Sequence, residues 1–286
     1  MRNIYQVFLL LIGFISYTQT TYTCAIQGDY SLDEFGYSVS FSDDGNVFAS
    51  SSPKNNSNTG YVRVYYWDSE LASWFKKGND IIGEDSGDLS GYSISLSSNG
   101  EIIAIGSPYN DGNLEDSGSV RVFQYNEVNS SWVQLGNDID GEATEDKFGY
   151  SVSLSSDGLT FAAGSPFNKV SNTAGSVRIY SWNGENWNLG SEIDGSYSNE
   201  RFGSSVSLSD DANKIAIGAP TYQPPSGSGF YTGRVETYMK VNNNWISVSP
   251  IFPSLYDNPG VIGDSHSFGW SVSLSGNGNV LLVGAP

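Results

Sequence analysis

Residues 148–166 read FGYSVSLSSDGLTFAAGSP, and the chain writes nearly the same stretch four more times. The other copies are FGYSVSFSDDGNVFASSSP from Phe35, SGYSISLSSNGEIIAIGSP from Ser90, FGSSVSLSDDANKIAIGAP from Phe202 and FGWSVSLSGNGNVLLVGAP from Phe268. Their glycines Gly36, Gly91, Gly149, Gly203 and Gly269 recur at intervals of 54 to 66 residues. That period lies in or just above the range of propeller blades rather than of helical solenoids.

Within each copy the pattern alternates. Ser151, Ser153 and Ser155 oppose Val152 and Leu154, so one face of a first strand is apolar and the other carries only hydroxyls. Small side chains suit an innermost strand, where neighbouring blades converge. Asp44-Gly45, Asn99-Gly100 and Asp157-Gly158 supply tight hairpins, because Gly tolerates the positive φ they require. A second, apolar strand follows, as in Ile102–Ile105. After a variable loop comes a third strand, seen in Tyr61–Tyr65, Ser119–Phe123, Ser176–Tyr180 and Gly233–Tyr238. The fourth begins at an aligned tryptophan: Trp74, Trp132, Trp187 or Trp245. Four antiparallel strands per unit make a propeller blade. The fold class is therefore all-β, a β-propeller with four complete blades and the first half of a fifth, the repeats starting near 35, 90, 148, 202 and 268.

A ring closed from these parts would lack the third strand of its last blade and expose unpaired edges. An incomplete ring is expected, either a truncated reading frame or an open arc completed by another subunit, hence an oligomer.

Residues 1–25 read as a signal peptide. Arg2 precedes one apolar run, Val7–Ile15, too short for the ~20 residues that span a bilayer. Thr23 and Ala25 suit a cut before Ile26, and Thr18 and Thr20 offer an earlier one. Cys24, the only cysteine, leaves with the signal, so the propeller of residues 26–286 has no disulfide. A secreted or cell-surface location follows. The net charge of −18 excludes nucleic acid and anionic membrane surfaces as partners. No membrane insertion is expected after signal removal.

The repeats resemble FG-GAP repeats, the blades of integrin alpha-chain heads. Phe-Gly opens four copies, and Gly-Ala-Pro closes two, at 218–220 and 284–286. The resemblance implies a non-enzymatic extracellular module for protein or glycan binding and cell adhesion. In that family the hairpin after the first strand often binds calcium. Here Ser42–Gly45 and its counterparts are too short to wrap a cation that takes six to eight oxygens, so no cofactor or metal is expected.

No catalytic residue is assigned. His266 is the only histidine and stands in a variable loop. The recurring tryptophans and Trp270 read as packing, and Arg63, Arg121 and Arg178 as pairing with backbone or acidic groups across blades. The divergent loops, which share one face, are the expected recognition surface. Its candidate binding residues are Asp85, Asp88, Asp111, Glu115, Asp116, Glu142, Glu145, Asp146, Tyr222 and Phe230. Asn55 and Asn129 stand in N-glycosylation sequons. A propeller enzyme acting on extracellular polysaccharide is the alternative function, and a structural spacer a third.

Overall fold

The computed structural model describes residues 26–168, 174–223, 232–253 and 267–286. The expected signal peptide, His266 and Phe230 lie outside the described residues. Among these residues the fold is all-β apart from one short turn at Asn55–Asn58.

Blade one holds β1 (Val39–Phe41), β2 (Val47–Ser52), β3 (Tyr61–Asp68) and a fourth strand in two pieces, β4 (Ser73–Lys76) and β5 (Ile81–Ile82). Blade two repeats this with β6 (Ser93–Leu96), β7 (Ile102–Ser107), β8 (Ser119–Asn126), β9 (Ser131–Gln134) and β10 (Ile139–Asp140). In blade three, β11 (Ser151–Leu154), β12 (Thr160–Ser165), β13 (Ser176–Trp182) and β14 (Trp187–Asp194) pair in order, all antiparallel. Blade four has the same order in β15 (Ser205–Leu208), β16 (Lys214–Ala219), β17 (Arg234–Val241) and β18 (Asn244–Ile251). A last pair, β19 (Ser271–Leu274) and β20 (Leu281–Gly284), forms a two-stranded sheet.

Phe-Gly is a turn. The N–H of the residue after each glycine donates to the carbonyl of the residue before the aromatic, as from Tyr150 to Lys147 at 3.1 Å and from Trp270 to Ser267 at 2.9 Å. Each of these glycines has φ between +82° and +92°, the third-position conformation of a type II turn.

The serine face holds the blades together. Innermost strands of neighbouring blades share no ladder, so their backbone groups need other partners. Ser93, Ser151 and Ser205 each donate a hydroxyl to the carbonyl of the next Phe-Gly glycine, at 2.8, 2.8 and 2.9 Å. Ser40, Ser95, Ser153 and Ser207 accept from the N–H groups of Leu96, Leu154, Leu208 and Leu274. Hairpin tips are joined as well, through Asp43 N–H to Ser98 O, Ser98 to Ser156 and Ser156 to Asp210. Apolar clusters fill the seams: Val62 and Val64 meet Ile103 and Ile105, Val120 and Val122 meet Phe161, and Val177 and Ile179 meet Ile215 and Ile217.

Two tryptophans add a clip to each of the first two seams. The Trp132 indole donates to Lys77 O at 2.8 Å, and that of Trp187 to Leu135 O at 2.7 Å. Trp270 is not core, as its sequence position suggested. It is 55% exposed, because no described element packs over the β19–β20 pair on that side.

Candidate functional site

Because the same glycine turn opens every inner strand, the residue after the glycine stands at the inner rim of the molecule. Those residues are Tyr37, Tyr92, Tyr150, Ser204 and Trp270. Three of them form a row of mutually tilted rings across three blades, with Tyr37 and Tyr92 ring centres 5.1 Å apart and Tyr92 and Tyr150 4.8 Å apart. Phe167 continues the arc with an edge contact to Tyr150 at 6.0 Å. At blade four the arc is interrupted, since Ser204 carries no ring. Burial, with the neighbouring hydroxyls of Tyr150 and Tyr37, pushes the Tyr92 phenol well above its ordinary pKa, so it stays a hydrogen-bond donor.

Cations border this arc. Lys147 lies 3.6 Å from the Tyr109 ring centre and pairs with Asp116 at 2.5 Å, the Arg201 guanidinium lies 5.1 Å from the Phe167 ring centre, and Lys54 pairs with Glu34 at 2.7 Å. Glu34, Lys147 and Arg201 precede their Phe or Phe-equivalent turns and all take φ near +56°, a conformation uncommon for residues with a Cβ. Aromatic faces, donor hydroxyls and both signs of charge together suit a polar ring with an apolar face, the composition of a small-molecule site.

The acidic residues expected to form a recognition surface divide into two kinds. Asp88 and Asp146 are buried and clip their own loops. Asp88 accepts from Asp85 N–H and Asn110 Nδ2, both at 3.0 Å, and burial raises its pKa. Asp146 accepts from Ala143 N–H at 3.0 Å and Asn168 Nδ2 at 3.2 Å. Asp33 and Glu200 do the same in blades one and four, Asp33 towards Asp29 and Phe35 and Glu200 towards Ser196 and Tyr197. In blades one to four the carboxylate three residues before the turn glycine is thus a loop fastener, and Asp88 and Asp146 do not face solvent.

Asp111, Glu115, Asp116 and Glu145 come together where the blade-two loop meets the connection into blade three. Asp111 accepts from Asp116 N–H at 2.7 Å, and Glu145 N–H donates to Glu115 O at 3.0 Å. Asp85 lies exposed one seam away. Glu142 pairs with the buried Arg178 at 3.0 Å, while Arg63 pairs with Asp80 and Asp29 and Arg121 donates to Ile82 O. Tyr222 is buried: its ring meets Tyr197 edge-on at 4.9 Å, the Arg234 guanidinium lies 4.9 Å from both ring centres, and Arg234 pairs with Glu200 at 2.7 Å. Of the two sequons, Asn129 is exposed and Asn55 half-buried.

The hairpin aspartates are occupied by turn bonds. Asp44 accepts from the Ser42 hydroxyl at 2.6 Å and Asn46 N–H at 2.9 Å, which holds its pKa low. Among the described residues no three His, Cys, Asp or Glu side chains are grouped to hold a metal ion, and no helix is long and apolar enough to cross a membrane. The tyrosine arc was visible in the sequence as the residue following Phe-Gly; only the register across blades shows that its members touch.

No family model matches the sequence, and no curated relative does. Solved structures share the fold. A periplasmic gluconolactonase from Pseudomonas aeruginosa is 14% identical with a TM-score of 0.54, covering 86% of this chain and 64% of its own length. A putative 6-phosphogluconolactonase from Bacteroides uniformis is 12% identical with a TM-score of 0.48, covering 87% of this chain and 77% of its own. The chain thus spans about two thirds of the length of the first of these.

The assignment to FG-GAP repeats is overturned: no such model matches, and the fold is shared with a protein described as a gluconolactonase. The Phe-Gly pair reports the type II turn that begins each inner strand, a geometric requirement and not a mark of lineage. The non-enzymatic and adhesive readings fall with it, since they rested on that family, and the solved structure that shares the fold is named as a gluconolactonase.

Proposed function

We propose that this chain belongs to an exported propeller hydrolase that takes a sugar-derived substrate of the lactone class on its Phe-Gly face. The observation that carries the reading is the row of Tyr37, Tyr92 and Tyr150, which Phe167 continues with the Arg201 guanidinium beside it and which is interrupted at Ser204. A sugar ring lays its C–H face on tyrosine and turns its hydroxyls to polar neighbours, here the phenols and Asp116. Support for the substrate class comes from the gluconolactonase that shares the fold, and support for export from the apolar leader and the periplasmic location in that protein's name.

Hydrolysis of a lactone adds water to the ester carbon and breaks the ring C–O bond, giving a hydroxy acid. Negative charge builds on the carbonyl oxygen as water adds. Lys147 and Arg201 are the cations available to meet it, and the Tyr92 phenol is a neutral donor. Proton removal from water is assigned to Asp116, which Lys147 holds at 2.5 Å.

The test is proton release from a panel of aldonolactones, with Tyr150→Ala and Arg201→Ala beside the unaltered protein. Each variant is expected to lose about tenfold or more in kcat/KM, as removal of a substrate-orienting group does, with an unchanged thermal midpoint. No turnover of any lactone by the unaltered protein sinks the reading.

A further inference from the structure

We propose that Tyr92 is the centre of an oxidative cross-linking site, where its ring becomes bonded to a flanking tyrosine, Tyr150 or Tyr37, and so ties neighbouring blades covalently. The inference rests on how the three phenols are held, and it stands whether or not the same face takes a lactone.

Residues 26–286 hold no cysteine and a single methionine, Met239. No disulfide can join these blades to one another, and the side chains that most readily give up single electrons are the phenols and indoles. Three phenols stand in unbroken ring contact across two seams, at 5.1 and 4.8 Å, the short end of the range for aromatic pairs. Their backbones are fixed. The N–H groups of Tyr37, Tyr92 and Tyr150 donate within the glycine turns at 3.0, 3.0 and 3.1 Å. Ser93, next to Tyr92, donates its hydroxyl at 2.8 Å to the carbonyl of Gly149, next to Tyr150. Rings held this way meet without diffusing, which multiplies their effective concentration. Tyr92 and Tyr150 are half-buried, so part of each ring stays open to a radical from outside.

The oxidant is hydrogen peroxide acting through a haem peroxidase. Each phenol loses one electron and its hydroxyl proton, which leaves an unpaired electron shared between the oxygen and the ring carbons beside it. One such carbon from each ring joins in a new C–C bond. The hydrogens on those two carbons leave as protons, and the two oxygens are protonated again. In all, two electrons and two protons leave the protein and reduce one hydrogen peroxide to two waters. Coupling requires the hydroxyl ends of the rings to lie together, and the hydroxyls of Tyr150 and Tyr37 are close enough to that of Tyr92 to help raise its pKa. Tyr197 and Tyr222 supply a contrast. Their ring centres are 4.9 Å apart, but the rings meet edge-on at 78°, rim against face, and Tyr222 is buried. Coupling joins rim to rim, so this pair is expected to stay unlinked.

The full chain, kept dilute and treated with a haem peroxidase and hydrogen peroxide, is expected to gain the blue fluorescence of dityrosine while remaining a single chain on a denaturing gel. Digestion and mass mapping should then give one peptide pair, joined with the loss of two hydrogens, that carries Tyr92 and either Tyr150 or Tyr37. Tyr92→Phe keeps the ring and its packing and is expected to lose the internal link, because Tyr37 and Tyr150 touch each other only through Tyr92. Absence of dityrosine, links formed only between chains, a link joining Tyr197 to Tyr222 or any internal link that leaves out Tyr92 overturns the proposal. An undiminished internal link in Tyr92→Phe overturns it likewise.

Discussion

At the scale of single residues, the repeated glycines separate two physical costs that one sequence motif conceals. Gly36 and Gly149 have the same turn conformation, φ +92° and +82°. A Cβ on Gly36 would meet nothing within 4 Å, whereas on Gly149 it would stand 2.5 Å from Ser119 O and 3.1 Å from Gly106 Cα. Gly36→Ala therefore carries the conformational cost alone, about 1–2 kcal/mol, and Gly149→Ala that cost plus a backbone clash between blades. Urea unfolding is expected to rank Gly149→Ala below Gly36→Ala by at least about 1 kcal/mol. Equal midpoints would show that the seam yields to the added carbon. Position in the motif was legible from sequence. Which glycine also serves as a contact was not, because that depends on the neighbouring blade.

At the scale of the strand, the aligned tryptophans bear on more than their own sheet. Trp132 is buried and its indole reaches the carbonyl of Lys77 in the preceding blade. Trp132→Phe keeps the ring but orphans that carbonyl, an expected loss of roughly 1–3 kcal/mol in denaturant unfolding. Alternation, hairpin glycines and tryptophan spacing let the sequence reveal strand order and blade boundaries, since these are local properties repeated four or five times. The acidic loop residues misled, because a carboxylate in a loop reads alike whether it faces water or, as Asp146 does, fastens its own loop. The tyrosine arc escaped for a related reason: adjacency between Tyr37, Tyr92 and Tyr150 spans two repeat lengths and is fixed only by how blades are set side by side.

At the scale of the whole molecule, charge decides how stability responds to acid. Burial raises the pKa of Glu84, Asp88, Asp140 and Glu192, so each weakens the fold while ionised and that weakening is relieved as the pH falls through its raised value. Asp80 behaves oppositely. Its burial would raise it, but hydrogen bonds from Arg63 and Lys76 prevail and leave it below 3.8. Its contribution is complete above pH 3.8 and disappears as the pH falls through the lowered value. With a net charge of −18 also repelling itself, the thermal midpoint should rise on acidification from pH 7, then fall below pH 3.8. Asp80→Asn should cost roughly 1–2 kcal/mol at pH 7 and nothing once the carboxylate is protonated; a constant penalty at every pH would show that Asp80 acts through shape. The serine bonds between inner strands have a consequence of a different order. Because the innermost strands are joined at all four seams by the same leucine N–H to serine hydroxyl bond, an in-frame genetic duplication or loss of one whole repeat re-forms that bond at the new junction, and the gene can alter the size of its product in steps of a blade.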